Sequence, residues 1–183
     1  MRAASALSAN ARALIARAGQ RACARAGAAR RLSRTGAPAL KVLVSTTTNP
    51  FFNLATEEWL FRSGDISGHT LFLWRNEPTV VIGRCQNPWK ECNVQAMQDK
   101  GVHLARRSSG GGAVYQDLGN TNFTFLSSTD NFDKLRNSGL IIDALKQWGL
   151  TATTSGRNDI VVGPADAPLK ISGAAYKLSP PRA

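Results

Sequence analysis

The sequence predicts an α+β domain of the mixed α/β type, in which short strands are interspersed with two or three helices. The strands are indicated by short runs of β-branched and aromatic residues, such as HTLFLW and TVVI. A helix is indicated by one longer segment with apolar residues at helical spacing. The chain has 183 residues, 43% of them hydrophobic and 19% charged, which suits one globular domain with a proper core.

The first predicted elements are a weak strand over residues 40–44 and a helix that follows the Asn49-Pro50 turn. Along this helix, one apolar side is formed by Phe51, Ala55 and Trp59. The runs HTLFLWRN and TVVIGR then predict a pair of strands separated by residues 76–78. The segment PWKECNVQAMQDKG predicts a short helix that ends at Gly101.

The second half begins with GNTNFTFLSS, where polar and aromatic residues alternate, as in a half-buried strand. A helix follows, with Gly149 placed as a C′ glycine. Its apolar face is formed by Leu140, Ile141, Ala144, Leu145 and Trp148. NDIVVG and LKISGAAYK predict two strands joined by a loop over residues 163–168.

The positive charge is concentrated at the amino terminus. The net charge is +11, but nine of the 23 basic residues lie in residues 1–41, which contain no acidic residue, so the remaining 14 nearly balance the 12 acidic residues. An Arg-, Ala- and Ser-rich, acid-free segment predicts a disordered mitochondrial transit peptide over residues 1–40, and hence the mitochondrial matrix, with a plastid as the alternative. The competing interpretation is a disordered basic tail that binds RNA or a membrane surface.

Several classes of protein are disfavoured by the sequence. Arginines interrupt each apolar run of the amino-terminal segment, and no run approaches the roughly 20 residues that cross a bilayer. Cys23, Cys85 and Cys92 form neither a zinc motif nor a disulfide framework, so no metal ligand from the protein is identified. We therefore expect no nucleic acid, no membrane and a monomeric protein with reduced cysteines.

The segment RRSSGGGAVYQDLGN contains three successive glycines directly after two arginines and two serines. Such a run is either a surface turn or a cradle whose backbone N–H groups approach the phosphate of a ligand. Guanidinium groups suit phosphate and carboxylate oxygens, so Arg106 and Arg107 favour the cradle. Neither the Rossmann fingerprint nor the P-loop motif is present.

Three segments read together, RRSSGGGAVYQDLGNTNFTF, GRNDIVV and LKISGAAYK, resemble the lipoate-protein ligase A and lipoyltransferase family. The resemblance covers residues 42–178 in the order of that family. It implies a biotin/lipoate ligase-like catalytic domain over residues 41–178, with a mixed, largely antiparallel sheet and flanking helices. It also implies a lipoate-protein ligase that joins lipoate to AMP with ATP and Mg²⁺ and then transfers the lipoyl group to a lysine of a carrier. The implied carriers are lipoyl domains of 2-oxoacid dehydrogenase acyltransferase subunits and the glycine-cleavage carrier protein.

The resemblance also assigns site residues by motif position. Arg107 and Lys170 correspond to the nucleotide-contacting arginine and the catalytic lysine, and Lys170 is also expected to contact both the nucleotide and the lipoyl group. The nucleotide cradle corresponds to Gly112, Ala113, Val114 and Tyr115, and the lipoyl-binding wall to Ser108, Gly111 and Gln116. Further candidates are Arg106, Asn158 and Asp159, although Asn-Asp at a strand entrance is also common turn chemistry. An apolar slot for the lipoyl tail has as candidates Trp74, Val80, Val81 and Ile82, which equally suit an ordinary core.

Two departures from the family pattern affect these expectations. Gln116 stands where the family has histidine, and a glutamine side chain cannot carry a proton near neutral pH. After Lys177 the chain continues only as LSPPRA, so we expect residues 179–183 to be a tail foreign to the family and the catalytic domain to be incomplete. The alternatives are a transferase that uses lipoyl-AMP without ATP and a truncated, inactive form that binds lipoate or lipoyl domains.

Overall fold

The computed structural model describes residues 40–64, 68–156 and 158–180. The predicted transit peptide therefore lies outside the described residues except for Leu40, as do the last three residues of the predicted tail. The helices are α1 (Pro50–Ser63), α2 (Pro88–Glu91), α3 (Val94–Asp99) and α4 (Lys134–Gln147), with a 3₁₀ turn at Thr129–Asn131. The strands are β1 (Leu40–Val44), β2 (His69–Trp74), β3 (Thr79–Ile82), β4 (His103–Arg106), β5 (Val114–Gln116), β6 (Asn122–Leu126), β7 (Ala152–Ser155), β8 (Asp159–Val162) and β9 (Leu169–Gly173).

The strands of the described residues form three small sheets, with the orders β1-β2-β6, β4-β3-β5 and β7-β8-β9. β1 with β2 and β3 with β4 are parallel, and the other pairs are antiparallel. The predicted α+β class and its mixed, largely antiparallel strand pairing are confirmed. The strands at the glycine segment and before β8 (β4, β5 and β7) were not predicted.

β2 and β3 both form, but the prediction that they pair with each other is wrong. The linking segment carries the chain from the first sheet to the second, because its backbone is held by other parts of the protein. The Glu77 N–H donates to the carbonyl of Thr48 at 2.9 Å, and the carbonyl of Pro78 accepts from the His103 N–H at 2.9 Å. Asn76, in the same segment, is fully buried.

Helix α1 begins as predicted at the Asn49-Pro50 turn, where the side chain of Asn49 accepts hydrogen bonds from the N–H groups of Phe51 and Phe52. Its buried side differs from the predicted apolar side, because Phe51 is 51% exposed and Trp59 is 61% exposed. The core cluster formed by α1 and the first sheet consists of Leu60, Phe61, Phe72, Trp74 and Leu126. The helix therefore presents Glu57 and Glu58, which are only partly exposed, towards polar partners inside the protein.

The predicted single helix over residues 88–101 is two short helices. Asn87 caps α2 and Asn93 caps α3, each through its side-chain oxygen, so the second cap interrupts the first helix. The chain leaves α3 before Gly101, which has a φ of +63°. The later helix α4 ends as predicted before Gly149, whose φ is +79° and whose N–H donates to the carbonyl of Lys146 at 3.0 Å.

A buried row of amide side chains joins the first sheet to the second. Asn53 on α1 donates to the side-chain oxygen of Asn76 at 3.0 Å, and Asn76 donates to the side-chain oxygen of Gln116 at 2.8 Å. Gln116 on β5 then donates to the side-chain oxygen of Asn122 on β6 at 2.9 Å. Ser45 closes the other end by donating to the oxygen of Asn53 at 2.6 Å. We call Asn53, Asn76, Gln116 and Asn122 the amide chain.

Candidate functional site

The glycine loop, Gly110–Gly112, crosses the carboxyl end of β3. β4 runs parallel to β3 on one side and ends with Arg106 opposite Ile82. β5 runs antiparallel on the other side and begins with Val114 opposite Val81. The chain between them must therefore pass over the end of β3, which places the glycine loop at a sheet edge.

The side chain of Arg107 holds the glycine loop through hydrogen bonds to its backbone. Its guanidinium group donates to the carbonyl of Gly110 from Nε and Nη2, at 3.1 and 2.8 Å, and to the carbonyl of Gly112 from Nη2 at 2.8 Å. Nη1 donates to the carbonyl of Val81 at 3.1 Å. Burial lowers the pKa of this guanidinium, and the nearby Glu57 carboxylate opposes that shift. Arg107 thus uses most of its five N–H donors in hydrogen bonds to backbone carbonyls of the loop and of β3.

The carbonyls of Gly110 and Gly112 accept hydrogen bonds from Arg107, whereas the N–H groups of the loop are not used in this way. Within the part of the chain that the structure describes, Gly110, Gly111 and Gly112 donate no backbone hydrogen bond, and all three are exposed. Gly111 has a φ of +100°, and a Cβ there would lie 2.7 Å from Nη2 of Arg107. Backbone N–H groups without a protein partner, next to a positive charge, suit an anionic oxygen, as the cradle interpretation requires.

Ser108 connects the loop to a cluster of charges on α1. Its hydroxyl hydrogen-bonds to Glu58, which also pairs with Arg62 and accepts from Nζ of Lys177 at 2.8 and 2.7 Å. Burial raises the pKa of the Glu58 carboxyl, but the hydrogen bonds from Lys177, Ser108 and Arg62 outweigh it and lower that pKa to about 2. Glu58 is therefore a fixed negative charge that holds Lys177 beside the start of the glycine loop.

Glu57, the neighbouring carboxylate, lies in a different environment. Its Oε1 accepts from the hydroxyl of Thr124 at 2.6 Å, and that hydroxyl accepts from Nε1 of Trp74 at 3.2 Å. Burial raises the pKa of Glu57, and the Glu58 charge adds to the rise against the lowering effects of Thr124, Arg107 and Lys177. Two adjacent carboxylates thus have pKa values moved in opposite directions, a pattern found at functional sites.

Lys170 lies on β9 and pairs with Asp159 on β8, with 2.9 Å between Nζ and Oδ1. Its side chain is 58% exposed. Gly173 leaves room for this ammonium group, because a Cβ at that position would lie 3.2 Å from Nζ. The backbone carbonyl of Asn158 accepts from the Ala174 N–H at 3.0 Å, which ties the start of β8 to the end of β9.

Gln116, at the position of the family histidine, is a buried member of the amide chain. It accepts from Asn76 and donates to Asn122, so it uses its amide as one acceptor and one donor. A neutral imidazole also has one donor and one acceptor, and can satisfy the same two neighbours in one tautomer. This geometry indicates a positioning role for the side chain at this place.

The predicted site residues fall into two groups. Arg106, Arg107, Ser108 and Gly111 lie with the rest of the cradle around the end of β3, and Val114 and Tyr115 continue from it as exposed residues of β5. Lys170, Asn158 and Asp159 lie together in the third sheet. Among the described residues, no hydrogen bond or ion pair joins Lys170 to the glycine loop. The proposed slot residues Trp74, Val81 and Ile82 are buried core residues.

Sequence reasoning missed Gly83, Lys177 and the roles of the two glutamates. A Cβ on Gly83 would lie 2.1 Å from the carbonyl oxygen of Gly111, so the loop rests directly on this residue. In the sequence, Gly83 reads as the end of a strand. The adjacency of Glu57 and Glu58 was visible, but only the opposing strand and the carboxy-terminal segment reveal their different partners. In the described residues there is no group of three or more His, Cys, Asp or Glu residues placed to hold a metal ion. No helix there is long and apolar enough to span a bilayer.

Comparisons with known proteins identify the class. A family model of the lipoyl protein ligase A/B catalytic domain matches residues 49–183. The chain belongs to this family.

The chain is 56% identical over 144 residues to lipoate-protein ligase A of Bdellovibrio bacteriovorus, an alignment that covers 79% of this chain and 42% of the relative. It is 58% identical over 138 residues to lipoate-protein ligase A of Psychrobacter cryohalolentis, covering 75% of this chain and 40% of the relative. The chain thus spans about two fifths of the length of these curated relatives.

Solved structures of the same class have a similar fold. P. falciparum LipL1 in complex with lipoate matches with a TM-score of 0.70 and 39% identity, over 79% of this chain and 46% of that chain. A bipartite lipoate protein ligase with its E2 lipoyl domain, from Thermoplasma acidophilum, matches with a TM-score of 0.69 and 32% identity, over 80% and 58%. A lipoate-protein ligase A bound with ATP matches with a TM-score of 0.69 and 30% identity, over 80% and 63%.

Replacing Gln116 tests the role of the amide chain. We expect Gln116→His to retain most of the stability at pH 8 and to lose it towards pH 5, because an imidazolium has no acceptor for the N–H of Asn76. Gln116→Leu should lower the free energy of unfolding by about 2 to 4 kcal/mol at both pH values, because two buried amides lose a partner. Urea unfolding of both variants measures this, and equal losses for His and Leu at pH 8 would contradict it.

The lowered pKa of Glu58 predicts how the stability of the protein changes at acid pH. Its folded pKa of about 2 lies below the ordinary 4.5, so its contribution is fully present above pH 4.5 and is lost as the pH falls towards 2. By linkage this contribution is at most about 3 kcal/mol.

Urea unfolding of the parent protein and Glu58→Gln across this range should show their difference in stability shrinking as the pH falls. Glu91→Gln, at an exposed carboxylate, is the matched control and should differ from the parent by less than about 0.5 kcal/mol throughout. A difference between the parent and Glu58→Gln that does not change from pH 7 to pH 2 would disprove the assignment.

Proposed function

We propose that this chain carries the catalytic site of a lipoate-protein ligase that uses ATP to form lipoyl-AMP and transfers the lipoyl group to a lysine of a lipoyl domain. The observation that carries the proposal is the glycine loop, in which Arg107 binds the carbonyls of Gly110 and Gly112 while the three N–H groups donate to no backbone partner among the described residues. An acyl-adenylate presents a phosphate and a carbonyl oxygen, and fixed donors of this kind stabilise charge on both. Relatives described as ligases, one neighbour with lipoate and another with ATP support the choice of substrates.

In the first step, an oxygen of the lipoate carboxylate attacks the α-phosphorus of ATP, and the bond from that phosphorus to pyrophosphate breaks. In the second step, the amine of the carrier lysine attacks the lipoyl carbonyl, an amide forms, and AMP leaves as the amine loses a proton. Mg²⁺ is proposed to enter bound to the phosphates of ATP, which is its usual mode with nucleotides. Both steps develop negative charge next to the loop N–H groups and need a cation on the opposite side.

Lys170 is the proposed source of that cation. Its present partner, Asp159, is an exposed carboxylate, and exposed ion pairs contribute only about 0 to 1 kcal/mol. The ammonium group can therefore leave Asp159 for the oxygens of the adenylate at small cost. Asn158 is proposed to help shape the strand that carries Asp159, through its carbonyl bond to Ala174.

The proposed partners are lipoyl domains of 2-oxoacid dehydrogenases and the glycine-cleavage carrier, and the archaeal neighbour with its E2 lipoyl domain supports this class of partner. The mitochondrial matrix is the proposed location, on the composition of residues 1–41. A monomer is proposed for the ligase itself.

The direct test is the intact mass of an apo-lipoyl domain after incubation with this chain, lipoate and Mg-ATP. The proposal predicts a mass increase of one lipoyl group and release of pyrophosphate. Modification only when lipoyl-AMP is supplied would show a transferase instead. Binding of lipoyl-AMP without modification would show an inactive binding form.

Replacing Lys170 tests the proposed catalytic residue. Lys170→Ala should reduce the rate of lipoyl transfer by about 100-fold or more, the scale for loss of one positioned donor to a developing oxyanion. Lys100→Ala, at another exposed lysine, should retain the parental rate. The initial rate of mass increase at saturating substrates is the measurement, and full activity in Lys170→Ala would remove this residue from the mechanism.

A further inference from the structure

The turn after β3, Gly83–Gln86, lies directly against the glycine loop. The missing side chain of Gly83 allows the contact, because a Cβ there would lie 2.1 Å from the carbonyl oxygen of Gly111 and 3.3 Å from the carbonyl carbon of Gly110. The N–H of Arg84 donates to the carbonyl of Ser109 at 2.9 Å. The turn and the loop therefore touch through backbone atoms, which leaves little room for either to move independently.

The turn is closed by its own residues. The N–H of Gly83 donates to the side-chain oxygen of Gln86 at 2.9 Å, and the N–H of Gln86 donates back to the carbonyl of Gly83 at 3.1 Å. This reciprocal pair closes the turn. The carbonyls of Gly83, Arg84 and Gln86 all lie within hydrogen-bond distance of one cationic group.

Arg106 supplies that cation. Its Nη1 donates to the carbonyls of Gly83, Arg84 and Gln86 at 3.0, 3.0 and 2.7 Å. A single nitrogen atom with two N–H groups makes all three contacts, so at least one N–H is shared between two carbonyls, and the forked shape of the guanidinium is not used. Arg107, the next residue, uses three nitrogens on three separate carbonyls and depends on the forked shape of its guanidinium group.

We propose that the Gly83–Gln86 turn, capped by Arg106, is a positioning element that holds the glycine loop in its binding conformation together with Arg107. Arg106 is then a positioning residue that need not touch the substrate. The part of this inference that concerns catalysis rests on the proposed ligase function, whereas the part that concerns loop order does not.

The first test measures loop order without substrate. Backbone ¹⁵N order parameters of the 183-residue chain are compared for the parent, Arg106→Met, Arg106→Lys and the control Arg136→Met, an exposed arginine on α4. In the parent, we expect Gly110–Gly112 to be rigid at about 0.85, although their N–H groups are free. Arg106→Met should lower them below about 0.6, whereas Arg106→Lys, which also offers donors from one nitrogen, should stay near the parental value.

Three outcomes would overturn the inference. Parental order in the loop of Arg106→Met, with the turn loosened, would show that the turn does not position the loop. Parental order parameters in both the turn and the loop of Arg106→Met would show that Arg106 does not hold the turn. Equal loss in the Lys and Met variants would show that a point charge is insufficient, against the single-nitrogen geometry. Gly83→Ala provides a second probe, because its Cβ must displace Gly111 and should shift the amide resonances of the loop even where order is kept.

The second test uses the reaction. Active-site titration by the burst of pyrophosphate separates the number of working sites from their rate. Arg106→Met should keep the burst amplitude and a KM for lipoate within about threefold, and lower kcat by about 100-fold, as a misplacement of about 1 Å does. Arg106→Lys should recover kcat to within about tenfold of the parent. A merely structural role would instead lower the amplitude at unchanged kcat.

The two tests fail separately. A parent chain that gives no pyrophosphate burst would contradict the proposed ligase function, and the order parameters would still decide whether the turn positions the loop. A parental burst with parental kcat in Arg106→Met would support the function and overturn the inference.

Discussion

The attachment of the Arg107 guanidinium to carbonyls of the glycine loop and of β3 is the interaction on which the candidate site depends. Three glycines in succession have wide conformational freedom, and a loop made of them has no side chains with which to hold itself. Arg107 supplies the missing contacts from its own position next to the loop. Its hydrogen bond to the carbonyl of Val81 fixes the position of the loop relative to a buried strand. The three N–H groups of the loop donate to no backbone acceptor among the described residues. The candidate binding segment is thus held by a residue outside the three glycines.

The two glutamates of α1 show how one helix serves different purposes at consecutive positions. Glu57 turns to Thr124 and the first sheet, where burial favours its neutral form, and Glu58 turns to Lys177 and Ser108, where hydrogen bonds favour its charged form. Glu58 also links the start of the glycine loop to a residue beyond the last described strand. The ion pair between Glu58 and Lys177 therefore joins α1 to the segment after β9, in addition to the connection along the chain.

The sequence allowed the α+β class and all but three of the strands to be predicted, because runs such as HTLFLW and DIVV keep their strand character wherever they pair. It did not show which strands pair. The partner of β3 depends on the anchoring of residues 76–78 by Thr48 and His103, which lie far away in sequence. β5 has only three residues, too few for a recognisable alternation. Helix α1 was predicted at its correct start but with the wrong side inward, since its buried residues combine Leu60 and Phe61 with Asn53, which an apolar pattern does not mark.

The site was predictable to the extent that its residues are adjacent in sequence. Arg106 through Tyr115 form one continuous segment, so the cradle could be located before any fold was known. Gly83 and Lys177 reach the same place from other parts of the chain, and nothing in their local sequence distinguishes them. The resemblance to a family predicted Lys170 and, as a further candidate, Asp159, and the geometry adds the ion pair between their side chains.

The amide chain has a direction. Each member donates to the next, from Asn53 to Asn122, and the direction is fixed at Asn53, whose amide nitrogen also donates to the backbone carbonyls of Thr47 and Arg75. Reversing Asn76 or Gln116 would place donor against donor at one neighbour and acceptor against acceptor at the other. The two sheets that it joins are consequently held together by hydrogen bonds between uncharged groups, all of which run in one direction. Such a connection resists a change of pH, unlike the carboxylate bridge a short distance away, and it distinguishes the correct apposition of the sheets from one shifted by a residue.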